Sequence, residues 1–235
     1  MKINNRYEMT AIGEENRSKV RFGRDLVTKR EIAVKTHRYQ GVGATVEKEI
    51  LQAVAHEHLP QLVDVFMLED LEHLVTMKIE GITLSDRIKE GPLEEWELIA
   101  YLKQLCDAVA YLHTHPRGIV HGDIAPNNIM VNERHHLTLI DFGAGMFMDT
   151  CVSTMSDKRY GTVGYAAPEN LLYPEMSGWQ SDVYGIGAVL KRCMEKNPEI
   201  YSMELALICK KATAIKPKHR YSNVQQLKED LELLV

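Results

Sequence analysis

His121-Gly122-Asp123-Ile124-Ala125-Pro126-Asn127-Asn128, followed by Asp141-Phe142-Gly143, decides the reading of this 235-residue chain. Asn128 stands five residues after Asp123, and Asp141 stands 13 after Asn128. The apolar run Leu137 to Ile140 predicts a strand leading straight into Asp141, which leaves room for one hairpin between the two acids. Taken singly, an Asp in a turn is a cap or a solvated charge. Two acids and an amide at this spacing are instead candidates for one site.

Outward from that stretch, the first third predicts strands. Val20 and Phe22 alternate with charged residues, and Ile32 and Val34 alternate with Ala33 and Lys35, with a turn from Asp25 to Arg30 between the two runs. Over 45–55 the apolar residues Val46, Ile50, Leu51 and Val54 fall at helical spacing, and the runs 62–68 and 73–79 again predict strands. After Gly81 the period changes to 3.6. Trp96, Ile99, Leu102, Leu105, Val109 and Leu112 outline a long amphipathic helix, and 181–194, 203–214 and 222–234 predict further helices. The class is α+β: a small antiparallel sheet lobe with one main helix over 1–79, and a larger, mainly helical lobe over 80–235. A short hinge at 78–82 joins them, and a cleft between unequal lobes is the natural place for a ligand.

Bulk composition narrows the function classes. At 45% hydrophobic residues the chain can bury a real core, and its net charge of -5 offers no global attraction to nucleic acid or an anionic membrane. Cys106, Cys151, Cys193 and Cys209 are widely separated, with no C-x-x-C pair, and are expected to be reduced thiols in a cytoplasmic protein. The opening MKINNRYEMT lacks a signal-peptide core, and no run of about 18 apolar residues suits a membrane span.

The segments quoted first resemble the catalytic loop and magnesium motif of eukaryotic-type (Hanks-type) serine/threonine protein kinases, in the compact form of bacterial members. The likeness runs nearly end to end. Ile32-Ala33-Val34-Lys35 resembles the lysine strand of that family, and 46–51 resembles the helix that pairs with it. Gly161-Thr162-Val163-Gly164-Tyr165-Ala166-Ala167-Pro168-Glu169 resembles the end of an activation segment, Ser181-Asp182-Val183-Tyr184-Gly185-Ile186-Gly187 the buried helix behind it, and Lys218-His219-Arg220-Tyr221 the penultimate arginine motif.

The resemblance implies a two-lobed fold and ATP- and magnesium-dependent transfer of the γ-phosphoryl group to Ser/Thr hydroxyls of a protein substrate. Asp123 would orient the incoming hydroxyl and accept its proton, and Asn128 and Asp141 would hold the metal. Lys35 would hold the α- and β-phosphates. Glu47 would hold Lys35, with Glu49 as the rival partner. Val75 to Gly81 would form the hinge, the backbone of Met77 to Ile79 binding the base and Thr76 lying behind it. Ile12, Val20, Ala33 and Met130 would sandwich the ring, and Gly13 would begin the loop over the phosphates. Glu169 would pair with Arg220, and Asp182 would hold the catalytic-loop backbone.

Three departures from the pattern stand out. The phosphate-covering loop, Gly13 to Val20, keeps only its first glycine, so that Glu15 and Ser18 restrict close approach of backbone amides. Gly122 replaces the arginine that in many relatives grips an activation-segment phosphate, although Thr150, Ser153, Thr154, Ser156 and Tyr160 offer hydroxyls there. Ala125 replaces a phosphate-neutralising lysine, a loss worth about 10² to 10³ in rate unless Lys158, Arg159 or the substrate supplies a cation. Two other readings compete. His-Gly-Asp before Asn128 also resembles small-molecule (aminoglycoside or choline-like) phosphotransferases, against which stand the string 161–169 and Arg220. A pseudokinase scaffold would explain the poor glycine loop and Ala125, but has no need of the full set Lys35, Glu47, Asp123, Asn128 and Asp141.

Overall fold

The computed structural model describes residues 2–10, 20–38, 42–149, 161–173, 176–200 and 202–234. β1 (Lys2–Ile3), β2 (Tyr7–Met9), β3 (Val20–Asp25), β4 (Glu31–Arg38), β5 (Leu62–Leu68) and β6 (Leu71–Met77) form an antiparallel sheet in the order β1-β2-β3-β4-β6-β5. α1 (Val42–Ala53) lies between β4 and β5 in the chain. Strand alternation then sorts the side chains. Ile32 and Val34 of β4 are buried in a cluster with Tyr7 and Val75, which leaves Ala33, Lys35 and His37 on the other face.

Register places the partners of that second face. Val20 and Leu74 flank Lys35, Phe22 and Thr76 flank Ala33, and Glu72 stands opposite His37. Directly opposed residues of an antiparallel pair share a face. One side of the sheet therefore carries three cross-strand rows, two of which wall a cleft.

Gly81 turns the chain out of the sheet. Its φ is +108°, and a Cβ there would sit 2.0 Å from the Val131 carbonyl oxygen, so only glycine fits. β7 (Ile82–Thr83) pairs with β9 (Ile129–Val131), which pairs in turn with β10 (Leu137–Leu139), and β8 (Ile119–Val120) pairs with β11 (Met146–Phe147). The remaining elements are helical: α2 (Leu84–Glu90), α3 (Glu95–Thr114), α4 (Pro168–Leu172), α5 (Trp179–Lys196), α6 (Met203–Ala212) and α7 (Val224–Glu232). Leu98, Leu102, Leu105, Val109 and Leu112 of α3 are buried at spacings of three and four, and Ile50, Leu51 and Leu74 from the sheet side join the same core. The two lobes thus share one apolar seam. This is the two-lobed α+β architecture expected from the sequence.

Three details differ from expectation. The strand expected at 73–79 is Leu71–Met77: the tight turn at Glu69 and Asp70, both at positive φ, starts it at Leu71, and the Lys78 amide makes one more bond to the Glu31 carbonyl of β4 beyond its end. Trp96 lies off the buried stripe of α3 and is 56% exposed, its ring edge-on to His135. The β1–β2 hairpin was not foreseen. It is pinned by Tyr7, which is buried, stacks on Phe66 and donates its hydroxyl proton to Asp64 at 2.7 Å.

Candidate active site

Lys35 reaches across the cleft from β4. Its ammonium donates to Glu47 Oε1 at 2.8 Å and to Asp141 Oδ1 at 2.7 Å, so three elements meet at one nitrogen. Of the two rival glutamates, Glu47 makes this contact from a buried position, whereas Glu49 is exposed and faces Arg117 at 3.7 Å. The spacing explains the choice. Glu47 lies three residues before Ile50, on the helix face that packs inward, and Glu49 lies well round from it. Burial pulls the Lys35 ammonium down in pKa, but the carboxylates of Glu47 and Asp141 outweigh it and leave it raised. Burial likewise pushes Asp141 up, and Lys35 beside it brings the carboxyl net below its ordinary value. Each group is held in its charged form by the other.

Asp141 sits at the mouth of the cleft with φ +66°, a left-handed conformation for a non-glycine residue. Such strain persists only where the surroundings over-determine it. Here Oδ1 takes both the Lys35 ammonium and the Gly143 amide, at 3.0 Å, while Phe142 is fully buried and meets His121 edge-on at 5.0 Å.

The second half of the constellation is the loop 121–128. Asn128 donates from Nδ2 to both the carbonyl and Oδ2 of Asp123, each at 2.9 Å. Both partners only accept, so the amide orientation is fixed and the Asn128 side-chain oxygen is left for another ligand. Asp123 Oδ1 accepts the Thr162 amide at 2.6 Å. Beneath the loop, Asp182 of α5 accepts the amides of His121 and Gly122, each at 2.9 Å, and meets His113 Nε2 at 2.9 Å. Ile140 joins the two halves: its amide donates to the Asn128 carbonyl at 2.8 Å and its carbonyl accepts from His121 Nε2 at 3.1 Å. A carbonyl cannot donate, so His121 carries its proton on Nε2 and turns Nδ1 to the Asp123 amide.

The cleft itself has a volume of about 320 Å3. Val20, Ala33, Lys35, Glu47, Thr76, Met77, Ile79, Met130 and Asp141 all line it, while Ile12 and Gly13 lie outside the described residues. Asp123 and Asn128 are not among its lining residues; Ile140, which lines it, connects to them through its amide bond to the Asn128 carbonyl. Sequence reasoning missed Phe22 and Thr83, which also line the cleft. The period-2 step from Val20 pointed to Phe22. Thr83 carried no such signal, since as the N-cap of α2, accepting the Asp86 amide at 3.1 Å, it reads as a helix start. Of the stretch 77–79, the Met77 and Lys78 amides already donate to Gln61 and Glu31 carbonyls, which leaves the Ile79 amide as the one without a partner among the described residues. Lys158, Arg159 and the hydroxyls at 150–160 lie outside the described residues, and Ala125 is fully buried.

Comparison with known proteins agrees with this arrangement. A family model described as the protein kinase domain matches residues 7–235. The chain is 26% identical to the serine/threonine-protein kinase PrkC of Bacillus subtilis (strain 168) over 269 aligned positions, covering 98% of this chain and 41% of that protein. It is similarly 26% identical to the serine/threonine-protein kinase PknB of Mycobacterium leprae, covering 97% and 43%. A putative CBL-interacting protein kinase 13 of Oryza sativa subsp. japonica is 32% identical, with 76% of this chain and 36% of that protein aligned. The chain spans about two-fifths of the length of these curated relatives. A match of that extent, over elements that assemble the lysine, glutamate and aspartate sites in one cleft, places this chain in the protein kinase family.

Proposed function

We propose that this chain transfers the γ-phosphoryl group of ATP, with magnesium, to Ser or Thr hydroxyls of a protein substrate. The observation that carries the reading is the double hold on Lys35 by Glu47 and Asp141, tied through Ile140 to the Asp123–Asn128 pair. The donor set suits the metal. Asp141 and the Asn128 side-chain oxygen are hard ligands, and no group of three His, Cys, Asp or Glu side chains gathers as a cage among the described residues. Asp141 and the Asn128 side-chain oxygen would hold magnesium on a triphosphate, with phosphate oxygens and water as its other ligands. When bound, the ion offsets charge on the phosphate oxygens.

The chain's own residues do the rest. Lys35 has three N–H donors and spends two on carboxylates, so one remains for the phosphates. The Ile79 amide, without a partner among the described residues, would bind the base, and Thr76 would lie behind it. Asp123 keeps acceptor capacity on both oxygens after receiving Thr162 and Asn128, so it can orient a substrate hydroxyl and take its proton. The Asp182 bonds hold that loop in register. With Ala125 where a lysine would stand, turnover is expected about 10² to 10³ below that of a fully equipped enzyme. The family match and the Glu169–Arg220 platform favour a protein over a small alcohol as substrate.

Incubation of the purified chain with labelled ATP, magnesium and a casein-like protein tests the reading, scored by acid-stable label on Ser and Thr. Asp123→Asn should lower incorporation by at least about 10²-fold. Equal labelling by that variant, or none by the wild type, sinks the proposal in favour of a binding module.

A further inference from the structure

Four buried side-chain atoms among the described residues lack a hydrogen-bond partner: His37 Nε2, Glu47 Oε2, Glu72 Oε2 and His73 Nε2. Three of them belong to residues gathered where α1 meets β4 and β6. Lys35 and His37 are two apart on β4, so they share the face turned to α1. Glu72 stands directly opposite His37 on β6. Glu47 of α1 descends onto this face with Oε1 on Lys35, and its Oε2 lies 3.3 Å from His37 Nε2, close but not aligned as a hydrogen bond. One residue along α1, Lys48 pairs with Glu72 Oε1 at 3.1 Å. A polar patch thus fastens the glutamate helix to the sheet at a depth where apolar packing is the norm.

We propose that His37 is a positioning residue for Glu47, donating from Nε2 to Oε2 so that the carboxylate is gripped from both sides. The reason lies in competition for Lys35. Its ammonium is shared between Glu47 and Asp141 and, on the phosphotransfer reading above, must also serve phosphate oxygens. A glutamate held by Lys35 alone would lose its orientation as those oxygens arrive. A buried carboxylate oxygen without a donor is also costly, so an imidazole N–H within a small displacement is the group to supply it. His37 thereby keeps α1 docked while Lys35 works.

Three variants of the full chain test this, with kcat, KM for ATP, melting temperature and amide hydrogen exchange over 46–54 as readouts. Leu fills the space but donates nothing, Asn falls short of Glu47, and the Gln side-chain nitrogen reaches about as far as Nε2. His37→Leu and His37→Asn should lower kcat/KM by about 10- to 100-fold and speed exchange over 46–54. Because His37→Leu leaves the buried Glu47 oxygen without a donor, it should also lower the melting temperature, a loss that His37→Gln should largely recover. His37→Gln should recover most of the rate and the protection. Wild-type kinetics in His37→Leu, or His37→Gln failing as badly as His37→Asn, would overturn the assignment. An inactive wild type would overturn the phosphotransfer reading instead, and exchange over 46–54 would still decide whether His37 holds the helix.

Discussion

Gly122 shows how one residue is both a loss and a requirement. Against the family pattern it removes an arginine, and that much is legible in the sequence. The structure adds that its φ is +78° and that a Cβ would lie 2.5 Å from the Ala144 carbonyl oxygen. The loop and the segment that follows Asp141 are therefore in backbone contact at a point where a side chain has no room. Gly122→Ala should cost about 1–3 kcal/mol from the left-handed conformation alone, more with the clash, read as a lowered urea midpoint at unchanged slope. Gly122→Arg should fare worse, not regain a regulatory arginine. A Gly122→Ala midpoint equal to wild type would show that the loop relaxes freely. The sequence could not announce this, because a lone glycine does not disclose its φ. Asp141 poses the same problem in reverse, since nothing in its letter predicts the strained backbone that aims it at Lys35.

Helices and strands long enough to show a period were readable, and short ones were not. α3, α5, α6 and α7 lie where apolar spacing put them, to within about two residues apart from the first turns and frayed ends. β1 and β2, of two and three residues, carry too few alternations to register. Polar anchors between elements needed the family resemblance. Arg220 is the main one: its fully buried guanidinium donates to Glu169 Oε1 at 2.6 Å and Oε2 at 2.8 Å, and to the carbonyls of Gln180, Ala214 and Ile215. It thereby staples α4 and α5 to the loop after α6. Arg220→Ala strands a buried carboxylate and should cost about 3–5 kcal/mol. Burial pushes Glu169 up in pKa, but Arg220 and Ser181 outweigh it and leave the carboxyl lowered. A folded value below the unfolded one gives stability that is complete above the ordinary Glu pKa of about 4.3 and lost as pH falls toward the folded value. Melting curves across this acid range should show the wild type losing stability on acidification, and Arg220→Ala losing much less because it starts without the pair. Parallel curves for the two proteins would remove the claim.

At the scale of the whole molecule, the site exists only because two lobes close on a common seam. Lys35 and Asp141 are 106 residues apart in sequence and 2.7 Å apart in space, one from the sheet and one from the helical side. The motifs named both residues without fixing this distance, which depends on Ile50, Leu51 and Leu74 entering the helical core. A ligand that bridges the cleft should therefore stabilise the folded chain as a unit. A non-hydrolysable ATP analogue with magnesium at 100 times its Kd should add about 2.7 kcal/mol. At this chain length that is a melting shift of about 5–10 °C. On the proposed function, Lys35→Met would remove the sheet-side contact and Asp141→Asn the metal-side one, so each should shrink the shift, and Asp141→Asn should leave the response to analogue without magnesium largely in place. If both variants kept the full magnesium-dependent shift, the nucleotide would have to bind somewhere other than between the lobes.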